Sequence, residues 1–191
     1  MPLYAIAGSQ GTGKTTTLEA LPEFRIVTRK TSRSVLNDWG VTLSEVNNNR
    51  ELTLRFQDEI LARKIADDFE FSTSPDVCFT ERTYADLFTY ALVAIGKDNE
   101  YSDWIDAYYE KCKAAQEVYK MTFYLTAGHF QPVHDGVRAI NKHYSRMVDL
   151  TMFDVTKKMS EADRLVTINT PELDQRTATI KNYVRFAQAN L

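Results

Sequence analysis

A three-layer α/β fold, five mostly parallel strands with helices on both faces, is what this sequence of 191 residues predicts, on three observations. Five short apolar runs recur along the chain, each too poorly alternating for a half-solvated sheet and so suited to strands buried on both faces. Helical periodicity fills the stretches between them, as parallel neighbours require crossover connections. Glycine is scarce, 7 residues where average usage gives about 13, yet Gly8, Gly11 and Gly13 lie together directly behind the first run.

The first run is Leu3 to Ala7, and the helical stretch Thr16 to Leu21 follows the glycines. Phe24 to Thr28 reads as the second strand, leading into Thr28-Arg29-Lys30-Thr31-Ser32-Arg33, three cations interleaved with three hydroxyls. From Glu51 to Phe69 a helix would place Leu54, Leu61, Ile65 and Phe69 on one stripe, with Arg55, Asp58, Lys64 and Asp67 toward solvent. Val77 to Thr80 is the third strand, and Tyr84 to Ile95 and Asp103 to Lys120 are helices. On the second of these, Trp104, Ala107, Tyr108, Cys112, Ala115 and Val118 form a wide core-facing surface. Met121 to Thr126 is the fourth strand, Asn141 to Met159 a helix, Leu165 to Asn169 the fifth strand and Pro171 to Ala189 the last helix. The five prolines fall where elements begin or end, and no repeat or linker interrupts the chain, so one domain over residues 1–191 is expected.

Composition narrows the function classes. Hydrophobic residues at 43% and charged residues at 26% are those of an ordinary globular chain and exclude disordered and fibrous types. A net charge of −3 gives no whole-molecule attraction to nucleic acid, so any polyanion contact needs a local patch. Cys78 and Cys112 have no C-x-x-C partner, which argues against a disulfide framework or a zinc site, and Cys78 reads as a core residue. His129 and His134 lack a carboxylate or thiolate set and suit hydrogen bonding better than metal binding. With no basic leader and no run of 18 apolar residues, a cytoplasmic protein with no membrane partner is expected. Oligomeric state leaves no mark in the sequence.

Gly8-Ser9-Gln10-Gly11-Thr12-Gly13-Lys14-Thr15 fills every fixed position of G-x-x-x-x-G-K-S/T, after a strand and before a helix, the context the motif requires. Four fixed positions would match by accident in a chain this long on the order of once in a hundred. The glycines allow consecutive amides to point inward as an anion nest, the helix N-terminus adds its dipole, and the lysine reaches the β- and γ-phosphates. Gly8 through Thr16 are therefore expected to bind ATP, with Thr15 ligating Mg²⁺ through its hydroxyl.

The rest of the site separates the classes that use this loop. A base-reading N-K-x-D is missing: the only N-K pair, Asn141-Lys142, runs on as His143-Tyr144 inside a helical pattern. The Asp-Glu strand end of a motor ATPase is missing too, because the third strand ends Thr80-Glu81-Arg82-Thr83. An acid followed by a cation suits a kinase. The carboxylate can take a proton from an acceptor hydroxyl or hold Mg²⁺ through water, and the guanidinium can reach the transferring phosphoryl group. Arg29, Lys30 and Arg33 could hold an acceptor phosphate, Arg33 most specifically; a solvated loop is the alternative. A small lid is expected over residues 127–146, where Arg138 and Arg146, eight apart, would share a helix face and close over phosphates; a helix paired to Asp149 or Asp154 would look alike. Phe56, Gln57, Tyr84 and Phe88 could contact a base or pack the core.

Gly8 to Thr15, Arg33, Gln57 within Phe56-Gln57-Asp58-Glu59-Ile60, Glu81-Arg82-Thr83-x-x-Asp86 and Asp135-Gly136-Val137-Arg138 together resemble the P-loop kinases of the nucleoside and nucleotide kinase superfamily. More narrowly, the set looks like the small AAA-type ATPase/kinase group related to the nicotinamide riboside kinase domain, many of them encoded by bacteriophages. Glu81-Arg82-Thr83 also resembles the Glu-Arg-Ser motif of deoxyribonucleoside kinases. The resemblance implies Glu81 as the catalytic carboxylate, Arg82 as a phosphate clamp and Arg138 as a lid residue; joined to the readings above, the expected site has Lys14, Glu81, Arg82 and Arg138 as its catalytic set, acceptor contacts from Arg29, Lys30, Arg33, Gln57 and Glu81, and Arg146 on the ATP side. Relatives often carry a glutamate three residues before the position of Arg33; Lys30 stands there, which favours an acceptor already bearing phosphate. The expected activity is ATP- and Mg²⁺-dependent phosphorylation of a nucleotide, a deoxynucleoside monophosphate first. Alternatives are a hydroxyl of DNA or RNA, at an end or on a hypermodified base such as 5-hydroxymethyluracil, and a non-catalytic ATP-binding switch.

Overall fold

In the computed structural model, which describes residues 2–27, 31–128 and 141–189, five strands form one parallel sheet: β1 (Leu3–Ala7), β2 (Arg25–Val27), β3 (Cys78–Glu81), β4 (Tyr119–Leu125) and β5 (Leu165–Ile168). Their order is β2-β3-β1-β4-β5. The central strand β1 is buried along its whole length, and its registers place Ile6 opposite Glu81 on β3 and opposite Phe123 on β4.

The alternation of β1 divides the core. Leu3 and Ala5 face a layer built from α2 (Thr31–Trp39), α3 (Leu43–Asn48), α4 (Arg50–Ser72), α5 (Tyr84–Ile95), α6 (Ser102–Gln116) and α7 (Lys142–Met159). Tyr4 and Ile6 face the other layer, made by α1 (Lys14–Glu19) and α8 (Leu173–Ala189), where Tyr4 stacks with Phe79 at 5.2 Å and Phe123 at 6.3 Å. The chain thus leaves β1 toward one face and the neighbouring β3 toward the other. Where adjacent strands part in this way a crevice opens at their carboxyl ends, and ligands of open α/β sheets bind there.

All five expected strands form. β4 begins two residues earlier than Met121 because Tyr119 is drawn into the core, 2% exposed, beneath a register irregularity between Leu3 and Tyr4. Two helices, α2 and α3, stand where no element was expected, and Thr31 to Arg33 form the first turn of α2. α3 starts on a capping box in which Thr42 accepts from the Glu45 amide and the Glu45 carboxylate accepts from the Thr42 amide.

The expected face of α4 is wrong by about one position. Its buried line is Thr53, Phe56, Gln57, Ile60, Leu61, Lys64, Asp68 and Phe71, while Ile65 and Phe69 are 41% and 68% exposed. Lys64, expected in solvent, is 6% exposed. Its ammonium donates to Asp68 Oδ1 and Thr80 Oγ1, both at 3.0 Å, and the Tyr119 hydroxyl donates to Asp68 Oδ2 at 2.5 Å. A buried charge survives only when paired and hydrogen-bonded, and these bonds fasten α4 to β3 and β4. Cys78 and Cys112 are buried core residues, as are Phe56, Tyr84 and Phe88, three aromatics offered for base contact by the sequence. Among the described residues no helix is long and apolar enough to cross a membrane.

Candidate active site

At the carboxyl end of β1 the backbone turns through Gly8, Gly11 and Gly13 with φ of 134°, 79° and 83°, a region open mainly to glycine. Gly8 has a second constraint, since a Cβ there would lie 2.5 Å from the Leu125 carbonyl oxygen. Gly13 is the left-handed N-cap of α1, which starts at Lys14, two residues before the expected start. Lys14 is 8% exposed, and its ammonium donates to the carbonyls of Gly8 at 2.7 Å and Ser9 at 2.8 Å. The Thr12 hydroxyl donates to the Ser9 carbonyl at 2.9 Å, while Thr15 and Thr16 are exposed.

The end of β3 supplies the acid. The Thr15 hydroxyl lies 3.4 Å from each carboxylate oxygen of Glu81, so a hydroxyl and a carboxylate face each other across the crevice. This all-oxygen pair suits a hard cation. Among the described residues no group of three or more His, Cys, Asp or Glu could hold a metal ion.

Arg82 has φ of 70°, the one left-handed non-glycine among the described residues. Such a backbone costs roughly 1–2 kcal/mol. Its amide donates to the Ile6 carbonyl at 3.0 Å, and its guanidinium lies 5.6 Å over the Tyr90 ring, which directs the exposed side chain along α5. Behind it Asp86 is fully buried, accepting from the Thr83 hydroxyl at 3.0 Å. Burial pushes its carboxyl pKa up, against the opposing charges of Lys14 and Arg82, the Thr83 hydrogen bond and the charge of Lys64.

Other expected residues stand apart. Arg33 lines an open groove of about 680 Å³ between α2 and α4 with Thr31, Ser34, Asn37, Arg63, Ala66 and Asp67; the donor loop contributes nothing to that lining. Arg63 crosses the groove wall, donating to Glu59 at 2.7 Å, Asp38 at 2.5 Å and Ser34 at 3.0 Å. Gln57 is 9% exposed on the inner face of α4, its carbonyl accepting from the Tyr108 hydroxyl at 3.1 Å. Arg146 is exposed on α7, and the two acids weighed as its partners have others: Asp149 accepts from Ser9 and Asp154 pairs with Lys158 at 2.7 Å. Arg29, Lys30 and Arg138, with most of the expected lid, lie outside the described residues.

Two residues at the loop carried no sequence signal. Arg176 of α8 is 2% exposed and donates to the Thr12 carbonyl at 2.7 Å and the Thr170 carbonyl at 2.6 Å. Asp149 of α7 accepts from the Ser9 hydroxyl at 2.9 Å. Only pairwise variation among relatives could reveal contacts spanning 164 and 140 residues of sequence.

The profile of the AAA domain family matches residues 3–171, from the start of β1 past the end of β5. The chain belongs to that family. No curated protein matches the sequence. Deoxyadenosine kinase from M. mycoides with bound dATP superposes with a TM-score of 0.70 at 12% identity, over 96% of this chain and 99% of that one. The same enzyme with bound dCTP gives 0.70 at 13% identity over 96% and 98%. NadR protein in complex with NR gives 0.64 at 13% identity, over 89% of this AAA domain chain and 46% of that one. The fold is that of the P-loop nucleoside and nucleotide kinases.

Proposed function

We propose that this chain transfers the γ-phosphoryl group of ATP to a nucleoside- or nucleotide-type acceptor in a Mg²⁺-dependent reaction, with a deoxynucleoside monophosphate as the preferred acceptor. The observation that carries the reading is the facing pair Thr15 and Glu81, at the mouth of the glycine loop and at the point where β1 and β3 part. In this mechanism the loop amides and α1 N-terminus receive the β- and γ-phosphates. Lys14 exchanges the Gly8 and Ser9 carbonyls for phosphate oxygens. Thr15, with Glu81 beside it, would hold Mg²⁺, which would supply neutralisation of the phosphate charge. Arg82 reaches forward to the transferring group, joined by Arg138 and Arg146, while Arg29, Lys30, Arg33 and Gln57 attend the acceptor.

A second acceptor, a deoxynucleoside hydroxyl, is favoured by Glu81 itself. A monophosphate attacks through an oxygen largely deprotonated at neutral pH, its second pKa being about 6. A hydroxyl needs a base, and Glu81 is partly exposed at the crevice to serve as one. Transfer of labelled γ-phosphate from ATP should be measured across deoxynucleosides, their monophosphates, nicotinamide riboside, and plain or hydroxymethyluracil-containing oligonucleotides. Turnover of monophosphates above nucleosides is the expected result, the reverse order selects the hydroxyl reading, and transfer to none of them overturns the kinase assignment.

A further inference from the structure

Ser9 is the junction of the donor loop. It is 4% exposed; its carbonyl accepts from the Lys14 ammonium at 2.8 Å and the Thr12 hydroxyl at 2.9 Å, and its own hydroxyl donates to Asp149 Oδ1 at 2.9 Å. Asp149 is itself fixed, because the buried Tyr124 hydroxyl at the end of β4 lies 3.4 Å from its carbonyl and 3.5 Å from its Oδ1. One turn earlier on α7 the Ser145 hydroxyl accepts from the Gln10 side chain at 3.4 Å. Two consecutive loop residues are thereby tied to two residues one turn apart on α7.

We infer that Asp149 is a positioning residue for ATP: acting through Ser9, it holds the donor loop and the resting place of Lys14 in register with α7. The carboxylate does not touch the nucleotide. It fixes the Ser9 hydroxyl on the outer wall of the loop, so that the Ser9 carbonyl presents the ammonium of Lys14 toward the nest. A hydrogen bond to a charged acceptor is stronger than a neutral one, and preorganising the loop removes ordering that the ligand would otherwise have to impose. The inference rests on reading residues 8–15 as the ATP loop.

ATP affinity measured by calorimetry on the full chain tests it, with thermal unfolding run alongside. Asp149→Ala should weaken ATP about tenfold. Ser9→Ala should do the same, and the double variant should be no weaker than either single, since both break one bond. Asp149→Asn, whose amide oxygen accepts from Ser9, should return affinity to within about threefold of wild type. A folded Asp149→Ala with unchanged affinity, losses that multiply in the double variant, or an Asp149→Asn as weak as Asp149→Ala would each overturn the inference. If the wild-type chain binds no ATP, the kinase reading fails separately; amide exchange in residues 8–15 then decides, faster in Asp149→Ala if Asp149 braces the loop and unchanged if it does not.

Discussion

Replacing Lys64 by methionine removes a buried charge from behind β3 while keeping most of the side-chain volume. In the native protein the Lys64 and Asp68 side chains are 8% and 1% exposed, and the ammonium lies 3.0 Å from both Asp68 Oδ1 and Thr80 Oγ1. It also sits 5.7 Å and 5.8 Å over the rings of Tyr84 and Tyr119. Lys64→Met leaves the Asp68 carboxylate buried with the Tyr119 hydroxyl as its hydrogen-bond donor. Breaking one side of a buried pair costs about 3–5 kcal/mol, and the apolar methionine offsets some of this, so a loss of about 3 kcal/mol is expected. In a chain of this size each kcal/mol moves Tm by about 2–4 °C, giving a fall of about 6–12 °C. Lys64→Met/Asp68→Leu should recover most of it, because the uncompensated charge is gone. Urea unfolding of the wild type, the single and the double variant measures the free energies, and thermal unfolding of the same three measures Tm. A single-variant loss below about 1 kcal/mol, or a double variant no more stable than the single, would refute the assignment of this pair as a buried and coupled one.

Glu81→Gln keeps the shape at the end of β3 and removes the charge, so kcat should fall by about 10²–10⁴ with ATP affinity within threefold of wild type; a Glu81→Gln enzyme with undiminished kcat would remove Glu81 from the catalytic set. Arg82→Gly relieves a left-handed backbone, so it should unfold no more easily than wild type and gain up to about 1 kcal/mol while kcat falls about 10²-fold; a clear loss of stability would mean that φ of 70° carries no strain. Asp86 has a folded-state pKa raised by burial above its ordinary 3.8. Between those two values the folded chain binds more protons than the unfolded one, so this group's contribution to stability falls as pH rises. The stability of wild type relative to Asp86→Asn should therefore decline from pH 4 toward neutrality, and a relative stability that climbs over that range would contradict the burial argument.

What the sequence made legible was what it encodes contiguously. Residues 8–15 and the strand before them specify a glycine turn and a helix start within one short segment, and the structure builds both there. α4 shows where that stops. Two overlapping stripes of this helix carry apolar residues, Leu54, Leu61, Ile65 and Phe69 on one, and Phe56, Ile60, Leu61 and Phe71 on the other. Periodicity alone cannot choose between them. The choice is made by Thr80 and Tyr119, which supply partners to Lys64 and Asp68 and let a polar stripe go inside. α2 was hidden for a different reason: its first turn, Thr31 to Arg33, is made of residues equally at home in a cationic loop, although the Thr42-x-x-Glu45 signature of α3 stood legible just beyond it.

The side chains gathered around the donor loop share a pattern that bears on its purpose. Four side chains bond the loop backbone at carbonyls: Lys14 at Gly8 and Ser9, Thr12 at Ser9, Thr17 at Gly13, and Arg176 at Thr12. A glycine turn with a purely architectural role has no reason to favour one kind of backbone group, since buried amides and carbonyls both need partners. A turn that must receive several phosphate oxygens has to keep its amides for the ligand and place its cations on the carbonyl side. Burying the guanidinium of Arg176 and the ammonium of Lys14 carries a desolvation cost that lowers stability. That cost is offset when a polyanion arrives, because its charge compensates both cations. Bound ATP should therefore raise the unfolding temperature of this chain by stabilising residues 8–15 together with α7 and α8, the two helices that grip them, and an unchanged unfolding temperature at saturating ATP would contradict this.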